Sequence, residues 1–132
     1  MRVIGDLRKL SEAFRAKVAE LEQKSVQYSE TTIWVALSYG GRSELVAACN
    51  QVLQDGQLVT EDSLSRCLWS AGMPDPDIII RTGGEQRLSN FLPWQSVYSE
   101  LYFTTTYWPA FTKDEFHRIL EWYESRQRRH GR

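Results

Sequence analysis

Apolar positions in the first third of the chain follow two different patterns. One set recurs at steps of three and four, with charged residues in between, and comprises Leu7, Leu10, Phe14, Val18 and Leu21. This spacing predicts one apolar stripe on a long helix. Residues 2–6 precede it and are typical of a short strand that ends in a Gly-Asp turn. Residues 31–39 follow it as an apolar, β-rich run, which predicts a strand that is buried on both faces.

Three further helices and two further strands are predicted downstream. A hydroxyl side chain that can cap a helix stands at the start of each helix, at Ser43, Thr60 and Thr112. The first of these helices runs to Gln54 and the second to Gly72, and Glu115 completes a capping box for the third. Residues 77–81 and 98–104 are apolar and β-rich, so we expect them to be strands.

The resulting element order, β-α-β-α-α-β-β-α, determines the expected fold class. Helix-length connections between strands predict an α/β fold with three layers, in which helices cover both faces of a mostly parallel sheet. We expect residues 1–132 to form a single domain. Only about four strands are present, and the first is a stub that begins at residue 2. The sequence therefore predicts an incomplete domain.

Composition and charge exclude several classes of protein. Sixteen basic and seventeen acidic side chains give a net charge of −1, so no overall field favours nucleic acid. No apolar run is long enough to span a membrane, and the first residues lack the apolar core of a signal peptide, so at most peripheral membrane contact is expected. Cys49 and Cys67 stand among apolar neighbours, which favours two small buried thiols over a disulfide. These features predict a cytoplasmic protein.

The segment after the strand at residues 77–81 carries the candidate chemistry. Arg81 ends that strand, and ligands of open α/β sheets bind beyond the carboxyl ends of strands. Gly83 and Gly84 follow, and we expect their backbone N–H groups to approach an anion. Arg87 and Ser89 add a second guanidinium and a hydroxyl donor, which suit a diphosphate. The alternative is that both arginines lie on the surface and the glycines form a simple turn.

Nucleotide-binding fingerprints are absent from this loop. The chain has no Gly-x4-Gly-Lys-Ser/Thr segment and no Gly-x-Gly-x-x-Gly segment after a strand. A phosphate bound here would therefore be held by arginines.

The same region resembles a known family. Residues 80–92, with Trp94-Gln95 and residues 98–103, resemble the carboxyl-terminal signature of the cis-prenyltransferases, which include undecaprenyl diphosphate synthase. Four shorter segments are also similar to family segments, in the family's order: residues 4–6, 39–42, 108–111 and 128–131. The resemblance covers nearly the whole chain, as the carboxyl-terminal half of a family member. Ser38 differs from the asparagine that the family more often has before Tyr-Gly-Gly-Arg.

The resemblance implies roles for individual residues. Those that would bind the diphosphate of isopentenyl diphosphate are Arg81, Arg87 and Ser89, and Leu88 would also contribute to substrate binding. Glu100 would help to hold the Mg²⁺ that bridges to this diphosphate, because Mg²⁺ prefers one or two carboxylates together with phosphate oxygens. Arg129 and Gly131 would form a terminal element that reaches the diphosphate across a subunit interface. The alternatives are a solvated glutamate before a strand and a basic helix end.

The resemblance also implies a reaction and partners. Family members condense isopentenyl diphosphate onto an allylic prenyl diphosphate to give a cis-polyprenyl diphosphate, and the chain would act as a homodimer or as a heteromer. Nothing in the chain resembles the family's amino-terminal Met-Asp-Gly-Asn-Gly-Arg-Trp-type segment, which carries the catalytic aspartate. Three hypotheses remain open: a transferase whose other half is elsewhere, a non-catalytic partner subunit, and a phosphate- or protein-binding remnant without activity.

Overall fold

The computed structural model describes residues 1–126, in two compact units that divide between residues 73 and 74. Each unit combines a pair of parallel strands with helices. The order of strands and α-helices is the predicted one, so the prediction of an α/β fold with parallel strands is confirmed. Within the described residues, no helix is both long and apolar enough to cross a membrane.

The strands of the first unit are short. Strand β1 (Arg2–Ile4) pairs in parallel with strand β2 (Trp34–Ala36), and Val3 lies opposite Val35. The strand predicted over residues 31–39 is thus limited to its centre, because β1 offers only three residues to pair with.

A glycine follows β1 at a close approach to the main chain after β2. Gly5 has φ +129°, and a Cβ atom placed on it would lie 1.9 Å from the main-chain oxygen of Leu37. Both the conformation and the lack of space require glycine here. The Gly-Asp turn that was predicted from sequence therefore permits the close approach of β1 to the residue that follows β2.

Helix α1 (Glu12–Ser25) begins later than predicted. Its cap is Ser11, whose Oγ accepts a hydrogen bond from the backbone N–H of Phe14 at 3.3 Å. Residues 7–9 form a separate 3₁₀ turn before this cap, so the first part of the predicted stripe lies outside the helix. Within the helix Val18 is buried, while Phe14 and Leu21 remain 46% and 42% exposed.

Helices α2 (Gly41–Gln54) and α3 (Glu61–Cys67) complete the first unit. The prediction that Ser43 caps α2 is wrong. The helix begins one turn earlier, with Gly40 as its cap, and no side chain forms a capping hydrogen bond there. Thr60 caps α3 as predicted and accepts a hydrogen bond from the N–H of Ser63 at 3.1 Å. The helix ends at Cys67 rather than at residue 72, since Leu68 adopts an extended conformation.

The core of the first unit encloses a carboxylate. The buried apolar side chains of this unit are Ile4, Val18, Ala48, Val52, Leu64 and Leu68. Glu44 of α2 is 0% exposed among them. One carboxylate oxygen accepts the hydroxyl of Tyr39 at 2.5 Å, and the other accepts the backbone N–H and the hydroxyl of Ser70, at 2.9 and 2.7 Å. Glu44 therefore joins α2 to the residues that follow β2 and to the residues that follow α3. The two cysteines are free thiols.

The second unit has the same plan. Strand β3 (Ile78–Arg81) pairs in parallel with strand β4 (Glu100–Phe103), and helix α4 spans Lys113–Glu124. Ile119 of α4 is fully buried. The rings of Trp122 and Tyr102 meet edge to face, with 4.9 Å between their centroids, so α4 packs against β4.

The cap of α4 differs in one detail from the predicted box. Thr112 Oγ1 accepts the backbone N–H of Glu115 at 3.2 Å, as expected. The Glu115 carboxylate instead accepts the hydroxyl of Thr104, which follows β4, at 2.6 Å. This bond ties the first turn of α4 to the end of β4.

Candidate functional site

The predicted diphosphate-binding residues lie together in the second unit. Arg81 is the last residue of β3, and its guanidinium donates to Ser89 Oγ at 3.0 Å. Arg87 Nε donates to the same oxygen at 3.1 Å. Arg81 also donates to the main-chain oxygen of Arg87. The structure thus brings both arginines and the serine that the sequence singled out into one cluster, which we call the arginine cluster (Arg81, Arg87 and Ser89).

The electrostatics of the arginine cluster favour an anion. Its two guanidinium groups carry like charge and share one hydroxyl acceptor. Glu85 forms an ion pair with Arg87, in which both side chains are more than half exposed, so solvent screens it strongly. Among residues 1–126, no carboxylate forms an ion pair with Arg81. The cluster therefore has positive charge that an anionic ligand can neutralise.

The role predicted for the two glycines is wrong. The N–H of Gly83 donates to the main-chain oxygen of Thr106 at 2.9 Å, and that of Gly84 donates to Thr104 at 2.9 Å. These bonds extend the pairing of β3 and β4 beyond their ends and use the donors that an anion would need. Glycine is required because both residues have positive φ, of 91° and 83°. The candidate anion site is therefore built from side chains.

The loop that carries Ser89 has an unusual backbone. Ser89, Asn90 and Leu92 have φ values of 48°, 68° and 48°, which lie in the left-handed region. A residue with a Cβ atom costs about 1–2 kcal/mol in this conformation, and a bulky one such as leucine is rare there. Leu92 is nevertheless only 6% exposed. Burial of its side chain offsets part of the strain.

An apolar cavity adjoins the arginine cluster. Its volume is about 280 Å³, and its lining residues are Ile79, Ile80, Arg81, Thr82, Arg87, Leu88 and Phe91. Leu88, which the resemblance assigns to substrate binding, is therefore beside both arginines. Sequence reasoning did not single out Thr82 and Phe91. The signal for Phe91 is weak, since Phe91 and Leu92 are adjacent and apolar and the spacing does not tell which one faces the cavity.

Glu100 lies apart from the arginine cluster. It pairs with Ile78 at the amino ends of β3 and β4, whereas Arg81 is at the carboxyl end. These positions are three residues apart, or about 10 Å along the strands. The Glu100 carboxylate accepts from Arg126 Nε at 3.1 Å, and its side chain is 23% exposed.

The positions of Glu100 and the arginine cluster determine which described residues could hold the Mg²⁺ that the family resemblance implies. Residues 1–126 contain no group of three or more metal-ligating side chains. Mg²⁺ is usually bound by one or two carboxylates plus phosphate oxygens and waters. Glu100 supplies one carboxylate, but it is ion-paired and at the far strand end. The described residues of the second unit therefore supply one candidate carboxylate, Glu100, and no complete set of Mg²⁺ ligands at the arginine cluster.

A second, larger cavity lies in the first unit. Its volume is about 880 Å³, and it adjoins the residues that follow β1 and β2, including Asp6, Arg8 and Arg42. Arg8 Nε donates to Asp6 at 2.8 Å. This bond, with smaller contributions from the charges of Arg8 and Lys9, lowers the pKa of the Asp6 carboxyl below its usual value, against the opposing effect of burial. The segments 4–6 and 39–42, which resemble the family, thus meet at one cavity. Arg129 and Gly131 lie outside the described residues.

Comparison with known proteins decides the family. A family sequence model described as undecaprenyl diphosphate synthase matches residues 1–131. The chain belongs to this prenyltransferase family. The cis-prenyltransferase resemblance inferred from residues 80–103 is therefore confirmed.

Curated relatives share high identity over nearly the whole chain. An isoprenyl transferase of Thermotoga maritima is 44% identical over 136 residues, which cover 99% of this chain and 58% of the relative. A geranylgeranyl-diphosphate-specific tritrans,polycis-undecaprenyl-diphosphate synthase of Pyrococcus horikoshii is 45% identical over 139 residues, which cover the whole chain and 53% of the relative. The chain thus spans little more than half the length of these cis-prenyltransferases.

Solved structures show the same fold. A probable undecaprenyl diphosphate synthase from Campylobacter jejuni superposes with a TM-score of 0.91 at 37% identity, over 99% of this chain and 62% of that chain. Lavandulyl diphosphate synthase from Lavandula x intermedia, in complex with dimethylallyl diphosphate, gives 0.88 at 31% identity, over 99% and 59%. The expectation of a partial cis-prenyltransferase fold agrees with both comparisons.

Proposed function

We propose that this chain supplies the isopentenyl-diphosphate side of a cis-prenyltransferase, an enzyme that elongates an allylic prenyl diphosphate. The observation that carries the proposal is the arginine cluster, in which two guanidinium groups meet one hydroxyl beside an apolar cavity. Membership of the prenyltransferase family supports the reaction class. We further propose that the two units belong to one domain, because the family model matches across both.

The hydrogen-bond pattern of Ser89 suits a phosphate oxygen. A hydroxyl oxygen has two lone pairs and one proton. Arg81 and Arg87 occupy the lone pairs. No residue in the described part of the chain accepts the hydroxyl proton, so it is available to an acceptor. A diphosphate offers such acceptors, and the planar guanidinium groups pair well with its oxygens.

The cavity suits the remainder of isopentenyl diphosphate. Ile79, Ile80, Leu88 and Phe91 provide apolar walls next to the charged groups. A short branched hydrocarbon attached to a diphosphate would place its charge on the arginines and its carbon skeleton among these side chains. Burial of that skeleton contributes roughly 25 cal/mol per Å² of apolar surface.

The reaction requires this substrate to be held with its double bond facing an allylic partner. The terminal carbon of isopentenyl diphosphate forms a bond to C1 of the allylic substrate, the C1–O bond of that substrate breaks so that its diphosphate group leaves, and one proton is lost from the isopentenyl unit to give the new double bond. The arginine cluster would orient the nucleophilic double bond by fixing the diphosphate at the other end of the molecule. Mg²⁺, as the family resemblance implies, remains a prediction, and no step above uses it.

A second candidate is a non-catalytic subunit of a heteromeric cis-prenyltransferase. One observation favours it: the carboxylate of Glu100, the candidate Mg²⁺ ligand, accepts a hydrogen bond from Arg126 Nε at 3.1 Å. In both proposals the other part of the site comes from a chain with the family's amino-terminal half, in a homodimeric or heteromeric enzyme. Both place the enzyme in the cytoplasm, with at most peripheral contact with a membrane.

Binding of isopentenyl diphosphate to the 132-residue chain tests the site. Arg81→Ala and Arg87→Ala should each weaken the affinity, measured by calorimetry, about tenfold or more, because each removes a charge-assisted hydrogen bond. Arg66→Ala is the matched control, since the Arg66 side chain is 61% exposed, like that of Arg87 at 60%. Equal affinities for all three variants would remove the diphosphate-site proposal.

Turnover separates the two candidates. The chain alone should make no polyprenyl diphosphate from isopentenyl diphosphate and an allylic starter. Mixed with a separately expressed amino-terminal half of the Thermotoga maritima relative, it should show turnover that Arg81→Ala abolishes. If Arg81→Ala leaves that turnover unchanged, the chain is a non-catalytic partner. Turnover by the chain on its own would contradict both candidates.

A further inference from the structure

The loop that presents Ser89 is held in an unfavourable backbone conformation by a leucine that does not touch the cavity. Leu92 has φ 48°, in a region that leucine rarely adopts. It is 6% exposed, and it is absent from the lining of the cavity beside Arg81. A leucine in an unconstrained surface loop would adopt a negative φ. The burial of Leu92 therefore fixes the backbone at this point.

The unfavourable backbone conformation of Leu92 also occurs at Ser89, the residue that binds both arginines. Ser89 and Asn90 also have positive φ, so the chain turns left-handed three residues before Leu92 and again at Leu92 itself. The N–H of Phe91 donates to the main-chain oxygen of Leu88 at 3.0 Å, which closes the turn around Ser89. The N–H of Ser96 donates to the main-chain oxygen of Leu92 at 3.0 Å, which fixes the other side of the leucine.

In this conformation Ser89 Oγ accepts hydrogen bonds from both arginines. Its Oγ lies 3.0 Å from Arg81 and 3.1 Å from Arg87 Nε. A change of φ at Ser89 to the common negative region would swing its side chain away from this position, because the direction of the Cα–Cβ bond follows the backbone. The position of the Ser89 hydroxyl oxygen thus follows from the conformation of the loop, and the burial of Leu92 fixes that conformation.

We propose that Leu92 is a positioning residue for diphosphate binding: its buried side chain holds loop 88–92 in the left-handed conformation that places the Ser89 hydroxyl between Arg81 and Arg87. The inference rests on the proposed function for its ligand, but its geometric part does not need a ligand. Leu92 acts on the anion only through Ser89.

Leu92→Ala tests this, with Leu68→Ala as the matched control. Leu68 is buried to the same degree, at 7% exposed, lies outside any helix and belongs to the first unit. Both changes remove the same atoms from a buried position, so both should lower the stability of the chain. Leu92→Ala alone should weaken the affinity for inorganic diphosphate, on the order of tenfold, as expected for loss of one hydrogen bond to a charged group. Leu92→Met, which keeps the volume, should restore it.

A double-mutant cycle distinguishes positioning from general loosening. If Leu92 acts through Ser89, Ser89→Ala weakens diphosphate binding in the wild-type chain but has little further effect in the Leu92→Ala chain. Additive losses, or equal losses in Leu92→Ala and Leu68→Ala, would overturn the proposal.

A second measurement needs no ligand. In a chain labelled with ¹⁵N-arginine, the Nε proton of Arg87 should exchange slowly with water because it is bonded to Ser89. Leu92→Ala should speed this exchange and Leu68→Ala should not. If wild type binds no diphosphate but the exchange still depends on Leu92, the proposed function fails and the positioning role stands. If exchange is the same in both variants, the positioning role fails whatever the chain binds.

Discussion

Glu44 allows a quantitative prediction about the stability of the first unit. It is 0% exposed, and its carboxylate accepts hydrogen bonds from the Tyr39 hydroxyl and from the N–H and hydroxyl of Ser70. Glu44→Ala would remove the acceptor and leave these donors in the core. Each unsatisfied buried donor costs about 1–3 kcal/mol. Relief from burying a charge acts in the opposite direction and amounts to several kcal/mol in real proteins.

The balance favours net destabilisation. Breaking a buried charged network by removing one partner typically costs about 3–5 kcal/mol. The total stability of a domain is about 5–15 kcal/mol, so Glu44→Ala should remove between about a fifth and all of it. Tyr39→Phe deletes a single hydrogen bond to the carboxylate and should cost about 1.5–3 kcal/mol.

Urea denaturation of the 132-residue chain measures these differences. Trp69 is a suitable probe, because its ring meets the Tyr39 ring edge to face with 6.3 Å between centroids, and its fluorescence should change when the network opens. Glu20→Ala serves as the control, since Glu20 is an exposed helix residue paired with Lys17 and Lys24. A free energy of unfolding for Glu44→Ala within about 1 kcal/mol of wild type would refute the reasoning.

Three further predictions concern the strand ends. Gly5→Ala should destabilise the chain by at least about 3 kcal/mol, measured by urea denaturation, because its Cβ atom would lie 1.9 Å from a main-chain oxygen; a stable variant would contradict the geometry. The pKa of the Asp6 carboxyl is lowered chiefly by the hydrogen bond from Arg8. The pair therefore stabilises the fold above about pH 4, and this contribution is lost as the pH falls through the lowered pKa of the folded state. Acid titrations should show a shallower loss of stability for Asp6→Asn. Glu100→Gln breaks an exposed ion pair with Arg126 and should change the free energy of unfolding by less than about 1 kcal/mol; a larger loss in thermal melts would point to an unrecognised role.

Sequence patterns predicted the order of elements because they depend on local periodicity. The apolar strand at residues 77–81 and the Thr112 cap are clear in the sequence and present in the structure. Boundaries were less predictable where two signals compete. Ser43 has the side chain of a cap, yet the preceding glycines allow the helix to begin earlier. Residue spacing alone does not show which of the two determines the start of the helix.

The arginine cluster was predictable in its members but not in its geometry. The Arg-Thr-Gly-Gly segment indicated an anion site, and the arginines meet at Ser89. The glycine N–H groups were expected to bind the anion, but pairing across to Thr104 and Thr106 uses them, and such long-range pairing leaves no local signal. The left-handed backbone conformation of Leu92 likewise could not be predicted from the sequence, because leucine has no preference for that conformation.

The two bonds that Ser89 accepts make the arginine cluster a site of donors only. Guanidinium groups have no acceptor and stay charged at any pH that a cell reaches, and Ser89 has both lone pairs in use. Such a site offers no acceptor to ligands that approach with an N–H or O–H group. A diphosphate that gains a proton would exchange an acceptor for an O–H donor, and it would therefore bind more weakly to such a site.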